Sequence, residues 1–217
     1  MSNAPSASAR QRRKSARPQE LLDAALALFV EKGFAATRSD EVARRAGVAK
    51  GTLYLYYPSK AELFKAVVRR NLSNLIAEGD ALAVAHAGSS AELLASLIGS
   101  WWHRFGDKAA AGIQRVLMAE VPHFPELAQF YLDEVIEPAG RLFAGAIERG
   151  VASGEFRAVP VLETAYALIA PVVFLATHRE TFGECGSHSA LAVEPAAMLQ
   201  AQIDLALRGL LVRSVAP

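Results

Sequence analysis

"TRSDEVARRAGVAKGTLYLYYPSKAELFKAVV", residues 37–68, fits three helical patterns and two stops into a span too short to be a domain. Thr37 and Asp40 have capping-box spacing ahead of "EVARRAG", where Val42, Ala43 and Ala46 share a face and Gly47 ends a helix of barely two turns. A tight turn over Gly47–Ala49 leads into "KGTLYLYY", which Pro58 stops. Ser59 with Glu62 makes a second box, opening a long helix whose apolar stripe runs through Leu63, Phe64, Val67, Val68, Leu72, Leu75 and Ile76. Short helix, tight glycine turn, short helix is the pattern of a helix-turn-helix, whose second helix can enter the major groove of DNA.

A period of 3.6 over Lys50–Tyr57 puts Leu53 and Tyr57 on one side, Gly51, Thr52 and Leu55 on the other, and Tyr54 and Tyr56 on the flanks. One face packs and the other is offered to a partner. Gly51 is a poor helix former in so short a helix, which fits close approach of another backbone, and Lys50 beside the free amides of the helix start favours phosphate oxygens. Taken alone, tyrosines near a helix end are more often half-buried packing than DNA contacts. Charge favours nucleic acid: residues 1–70 hold 14 Lys/Arg against 6 Asp/Glu, a net of +8, and the rest hold 9 against 16, a net of −7.

Outward from this centre, "MSNAPSASA" is small and polar and "RQRRKSAR" is basic, so residues 1–15 read as a flexible basic arm. From Pro18 a helix pattern sets in, with Leu22, Ala25, Leu26 and Phe29 on one face and Gly33 as its stop. Downstream, helices are predicted at about 91–105, 112–121, 125–150, 161–181 and 194–212, with no useful strand alternation, so the fold class is all-α. With 52% hydrophobic residues the chain supports a sizeable core, and its single cysteine, Cys185, fits a reducing, cytoplasmic setting. The most apolar stretch, "TAYALIAPVVFLAT" at 164–177, is shorter than a membrane span and contains Pro171, and Asp23 interrupts the only N-terminal apolar run, which argues against a secretory signal.

"LFVEKGFAATRSDEVARRAGVAKGTLYLYYPSKAELFKAVV", Leu28–Val68, resembles the DNA-binding domain of the tetracycline-repressor (TetR) family. The resemblance implies a helix-turn-helix domain over 16–77, joined by a long helix to a helical effector-binding and dimerisation domain over 78–217. It implies operator binding as a dimer and a small-molecule pocket in the C-terminal helices, with ligand binding usually relieving repression. Carried over by position, it puts Thr37 and Arg38 on phosphates or base edges and Lys50, Gly51, Thr52, Tyr54 and Tyr56 on the recognition helix. Tyr54 and Tyr56 would lie along the phosphate backbone, and Lys60 would be a further backbone contact. Leu55 departs from the polar or aromatic residue many relatives carry there.

In the C-terminal part most aromatic residues read as core. Trp101, Trp102, Phe105, Met118, Tyr131, Tyr166, Phe174 and His178 are the candidates for lining the pocket, because they lie in the helices that surround it in relatives. Few polar groups accompany them, which favours an apolar or aromatic effector. His178, Glu184, Cys185 and His188 lack the paired spacing of a metal site, no cofactor is expected, and no nucleophile with a base partner or phosphate-binding loop stands out. The last two helices are apolar over much of their circumference and are the expected homodimer interface. Two rival readings stay open on sequence alone: a small-molecule-binding protein or enzyme with a vestigial DNA-binding domain, and a constitutive DNA-binding protein whose C-terminal part is fully packed.

Overall fold

The computed structural model describes residues 7–105, 108–182 and 194–212, and within them all side chains except those of 7–17, 105, 108, 109, 176, 178–182 and 195. The chain forms α1 (Ala7–Ala36), α2 (Ser39–Arg45), α3 (Lys50–Tyr56), α4 (Lys60–Val68), α5 (Asn74–Ala85), α6 (Ser90–Phe105), α7 (Lys108–Glu120), α8 (Pro125–Tyr131), α9 (Glu137–Ala152), α10 (Val161–Phe182) and α11 (Pro195–Leu210). Two joints are π-helical turns: Arg69–Ser73 carries α4 into α5, and Leu132–Ile136 carries α8 into α9. Among the described residues extended pairing is limited to a bridge between Phe156 and Leu211, which ties the end of α11 to the turn after α9.

The N-terminal head is α1 to α4. α1 begins at Ala7, ahead of the Pro18 start read from the sequence, because the intervening residues are mostly good helix formers, and Pro18 lies inside the helix. Its buried stripe is Leu21, Ala25, Leu28 and Phe29, with Leu22 and Leu26 only half-buried. That stripe is rotated from the predicted one because α1 is flanked by both α4 and α7. Phe29, Phe34 and Phe64 meet in a ring cluster with centroids 5.0–5.9 Å apart, and Phe124 from the body closes on Phe34 at 4.9 Å, edge to face. Each such buried ring contributes about 1.5–3 kcal/mol. Every residue of the stripe predicted from Leu63 to Ile76 is buried.

α6, α7, α9 and α10 enclose the core of the body, where Leu94, Leu97, Ile113, Phe143, Ile147 and Ala165 are fully enclosed. Glu155 fastens the start of α6, accepting from the N–H groups of Ser90 at 2.7 Å and Ala91 at 2.9 Å. Burial works against its charge, but these N–H bonds prevail and hold the carboxyl below its usual range. α11 is pinned by Gln202, which accepts from Trp102 Nε1 at 2.7 Å and donates to the Leu168 carbonyl at 2.5 Å.

Head and body meet where α1 breaks. Gly33 has φ +83° and ψ 169°, a region open almost only to glycine. A Cβ there would stand 2.8 Å from Oε1 of Glu120, the last residue of α7, which accepts from the Ala35 N–H at 3.1 Å. Arg115, also on α7, donates to the Val30 carbonyl at 2.8 Å. One helix of the body thus completes the end of the first helix of the head.

Candidate nucleic-acid interface and ligand cleft

α2 and α3 are joined by a turn at Gly47, whose φ of +67° suits glycine. Leu53 is fully buried and Tyr57 half-buried, its hydroxyl 3.4 Å from the Pro18 carbonyl; burial raises the phenol's pKa. Elsewhere on the helix Lys50, Gly51, Tyr54 and Leu55 are exposed to solvent, with Thr52 and Tyr56 half-buried. Lys50 Nζ sits 5.8 Å from the centroid of the Tyr54 ring. Beyond the backbone of its own helix and its chain neighbours, no described atom lies within 4 Å of a Cβ placed on Gly51, which leaves room there for close approach. Leu55 is 84% exposed.

Three details at the ends of this unit differ from the sequence reading. Thr37 is 1% exposed, its hydroxyl 2.7 Å from the Gly33 carbonyl and 3.2 Å from that of Leu28, so it caps the end of α1 and offers nothing to a phosphate. The cap of α2 is shifted by one residue: Arg38 is the N-cap, and the Glu41 carboxylate folds back toward the Arg38 N–H at 3.4 Å. Lys60 donates to the carbonyls of Phe34 at 2.8 Å and Ala35 at 2.9 Å and lies over the Phe34 ring at 4.5 Å, with burial lowering its pKa against the pull of Glu120. It finishes the broken end of α1 and does not face outward. Arg38 is exposed, its Nε bonded to Asp40 at 3.0 Å, which raises the guanidinium's pKa. Ser59 caps α4 as expected, accepting from the Glu62 N–H at 3.1 Å.

The second site is an apolar cleft with about 440 Å³ of space, part of it open to solvent. Leu72, Leu75 and Ile76 form one wall, Tyr131, Val135, Ile136 and Ala139 a second, and Tyr166, Ile169 and Val173 of α10 a third, with Trp101 between them. None of the described side chains lining it is charged. Both π turns reach it, through Leu72 and through Val135 and Ile136. Outside the cleft the same turns are clamped together: Arg69 donates from Nε and Nη2 to the two oxygens of Glu134, each at 2.6 Å. The Arg69 guanidinium holds the Glu134 carboxyl below its usual range. Asn71 and Asn74 donate to the carbonyls of Val67 at 2.7 Å and Arg70 at 3.1 Å, supplying partners where the π turn disturbs the helical ladder.

Of the predicted pocket residues, Trp101, Tyr131 and Tyr166 line this cleft. Trp102 does not, because its indole N–H is committed to Gln202 in the packing of α11. Met118 and Phe174 are 42% and 45% exposed on outer helix faces. The side chains of Phe105 and His178, and residues Glu184, Cys185 and His188, lie outside the described ones. The described residues hold no group of three or more metal-capable side chains. Sequence reading missed the walls from the π turns, whose residues are indistinguishable from core by periodicity. It also missed Gln114, 1% exposed on α7, whose Oε1 accepts from the Tyr131 hydroxyl at 2.9 Å. A signal for it existed: Gln114 falls on the same face as Ala110 and Leu117, a polar residue in an apolar stripe.

Comparison with known proteins matches residues 21–67 to the model for bacterial regulatory proteins of the tetR family and residues 84–192 to a tetracyclin repressor-like C-terminal domain. The transcriptional repressor KstR2 of Rhodococcus jostii is 30% identical over 164 residues, 75% of this chain and 79% of its own. Among solved structures, the Bacillus subtilis regulator FadR in complex with stearoyl-CoA superposes with TM-score 0.73 at 20% identity, over 88% of this chain and 98% of its own. A regulator from Saccharomonospora viridis in complex with choline superposes with TM-score 0.74 at 19% identity, over 92% of this chain and all of its own. Both share the fold.

Proposed function

The chain belongs to the TetR family of ligand-responsive, DNA-binding transcriptional regulators, and from that premise we propose that it is a repressor. It holds a palindromic operator as a homodimer and leaves it when a small apolar or aromatic effector fills the cleft. The observation that carries the DNA part is the division of α3: Leu53 is wholly buried while Lys50, Gly51, Tyr54 and Leu55 are offered outward on a head of net positive charge. In this reading Lys50, Gly51, Thr52, Tyr54, Tyr56 and Arg38 meet the operator, and Leu55 touches a thymine methyl. The exposed Leu162, Tyr166 and Phe174 of α10 and Leu205 of α11 support an interface through the last two helices. A two-fold dimer sets its recognition helices about 34–36 Å apart, one turn of DNA. The protein works by binding rather than catalysis, in the cytoplasm; no helix of the described residues is long and apolar enough to cross a membrane.

The coupling follows from where the elements lie. α4 starts at Lys60, shortly after the end of α3, and its continuation forms one wall of the cleft, while α7 reaches from behind Tyr131 to the end of α1. An occupant that parts these walls moves both supports of the head, and it shifts the equilibrium by as much as it prefers the parted form. The test is a palindrome near the protein's own gene, titrated by fluorescence anisotropy. Lys50→Ala is expected to weaken binding about tenfold and to lower the slope of log K against log salt by about 0.9, one phosphate contact. An unchanged slope removes Lys50 from the interface.

A further inference from the structure

Behind the cleft wall lies an excess of buried hydrogen-bond donors. Gln114 is 1% exposed, and while its Oε1 accepts from Tyr131, its Nε2 has no hydrogen-bond partner. Tyr131 is 6% exposed and lines the cleft. The count does not depend on which way the amide is turned. As placed, the phenol hydrogen is used and both amide hydrogens are left over. With the amide reversed, Nε2 donates to the phenol oxygen, leaving one amide hydrogen and the phenol hydrogen. Either way two donors stay unanswered in an apolar surround, where each costs about 1–3 kcal/mol. Burial pushes the Tyr131 pKa up to about 12, so the phenol keeps its proton.

We propose that the effector is an uncharged, mostly hydrocarbon molecule carrying one carbonyl oxygen, a ketone or an ester, and that Gln114 and Tyr131 together read that oxygen. This rests on the reading of the cleft as the effector site. A carbonyl oxygen has two lone pairs and no hydrogen, so with the amide reversed it answers the remaining amide hydrogen and the phenol hydrogen together, whereas an alcohol adds a third donor. An ionised carboxylate finds no cationic side chain on the walls to offset its desolvation. The position also suits a regulator: the neighbouring Arg115 holds Val30 in the head, so the residue that reads the ligand sits one place from a residue that holds α1.

The test compares four probes of ten carbons each: 2-decanone, methyl nonanoate, n-decane and decanoate. Binding is followed by the fluorescence of the two tryptophans, of which Trp101 lines the cleft, and release from DNA by anisotropy. For the wild-type protein the ketone and ester are expected to bind about tenfold tighter than the alkane, the worth of one well-made hydrogen bond, and tighter than the carboxylate. Gln114→Leu is expected to erase that ratio by weakening the carbonyl probes while the alkane holds. Tyr131→Phe is expected to reduce it less, since the amide keeps both hydrogens. If Gln114→Leu does not fold, Gln114→Met reads the same ratio. A wild-type preference that survives the Gln114 substitution, or tightest binding of decanoate, overturns the proposal. Equal binding of ketone and alkane overturns it too, with the donors then served by buried water, and leaves the cleft as the effector site. Absence of binding by all four, with no release from DNA, overturns the cleft reading itself.

Discussion

In the head, polar side chains turn inward to finish the backbone: Thr37 and Lys60 take the last carbonyls of α1, Ser59 takes the Glu62 amide in the first turn of α4, and Glu120 reaches in from the body for the Ala35 N–H. In the body, the cleft has the opposite condition, with Gln114 Nε2 buried and unanswered behind its Tyr131 wall and two π turns interrupting the helices that form it. A surface that must fit a stiff duplex gains from being complete beforehand, because ordering it at the moment of binding would subtract from affinity. A site that must report on an occupant gains from being incomplete, because the occupant then has something to change. The contrast predicts that the two regions respond differently to the same kind of perturbation.

Gly33→Ala should break the completed head. The substitution forces a side chain into a backbone region almost reserved for glycine and displaces the Glu120 carboxylate, with an expected loss of about 1–3 kcal/mol in urea unfolding. Glu120→Gln keeps an acceptor for the Ala35 N–H and should cost less. Gly51→Ala makes the reverse case. With open space around the Cβ position, fold stability should hold or rise by up to about 1 kcal/mol from helix propensity. Operator affinity should fall about tenfold, as the methyl group keeps the DNA backbone at a distance. Anisotropy alongside unfolding separates the two, and unchanged affinity would mean that nothing approaches α3 at Gly51.

These glycines also mark how far the sequence could be read. The helix-turn-helix was legible because its function faces outward from short helices: a 3.6 period divides Leu53 from Leu55, and Pro58 and Ser59 print the boundary directly. The roles of Thr37 and Lys60 were not, because both contacts depend on Gly33 bending α1 back within reach, a matter of tertiary geometry that spacing does not encode. The cleft was less legible still. Leu72, Val135 and Ile136 sit in ordinary apolar stripes, and nothing in their spacing sets them apart from core although they line the cleft. Trp102 and Met118 carried the same aromatic or soft-apolar signal as Trp101, yet one packs α11 and the other faces out.

The smallest expected effect tests whether the π turns are the adjustable part. The Arg69 guanidinium lowers the Glu134 pKa below its ordinary 4.5, so the unfolded chain takes up the proton first as pH falls. The pair's contribution is therefore complete above about pH 5 and is lost as pH drops through the lowered folded value. With both side chains more than a third exposed, it amounts to less than about 1 kcal/mol after solvent screening. Glu134→Gln should make the acid limb of the stability profile shallower, with little change below about pH 3, and 0.5 M salt should shrink the neutral-pH difference by shortening the screening length to about 4–5 Å. Hydrogen exchange decides what so small a change means for the molecule. If the body is the part built to move, amides of 69–76 and 131–139 should exchange faster in the variant while those of 39–56 stay as they were. Equal acceleration in both regions would mean that head and cleft open as one unit, and that the completeness of the head depends on this clamp as much as on its own capped ends.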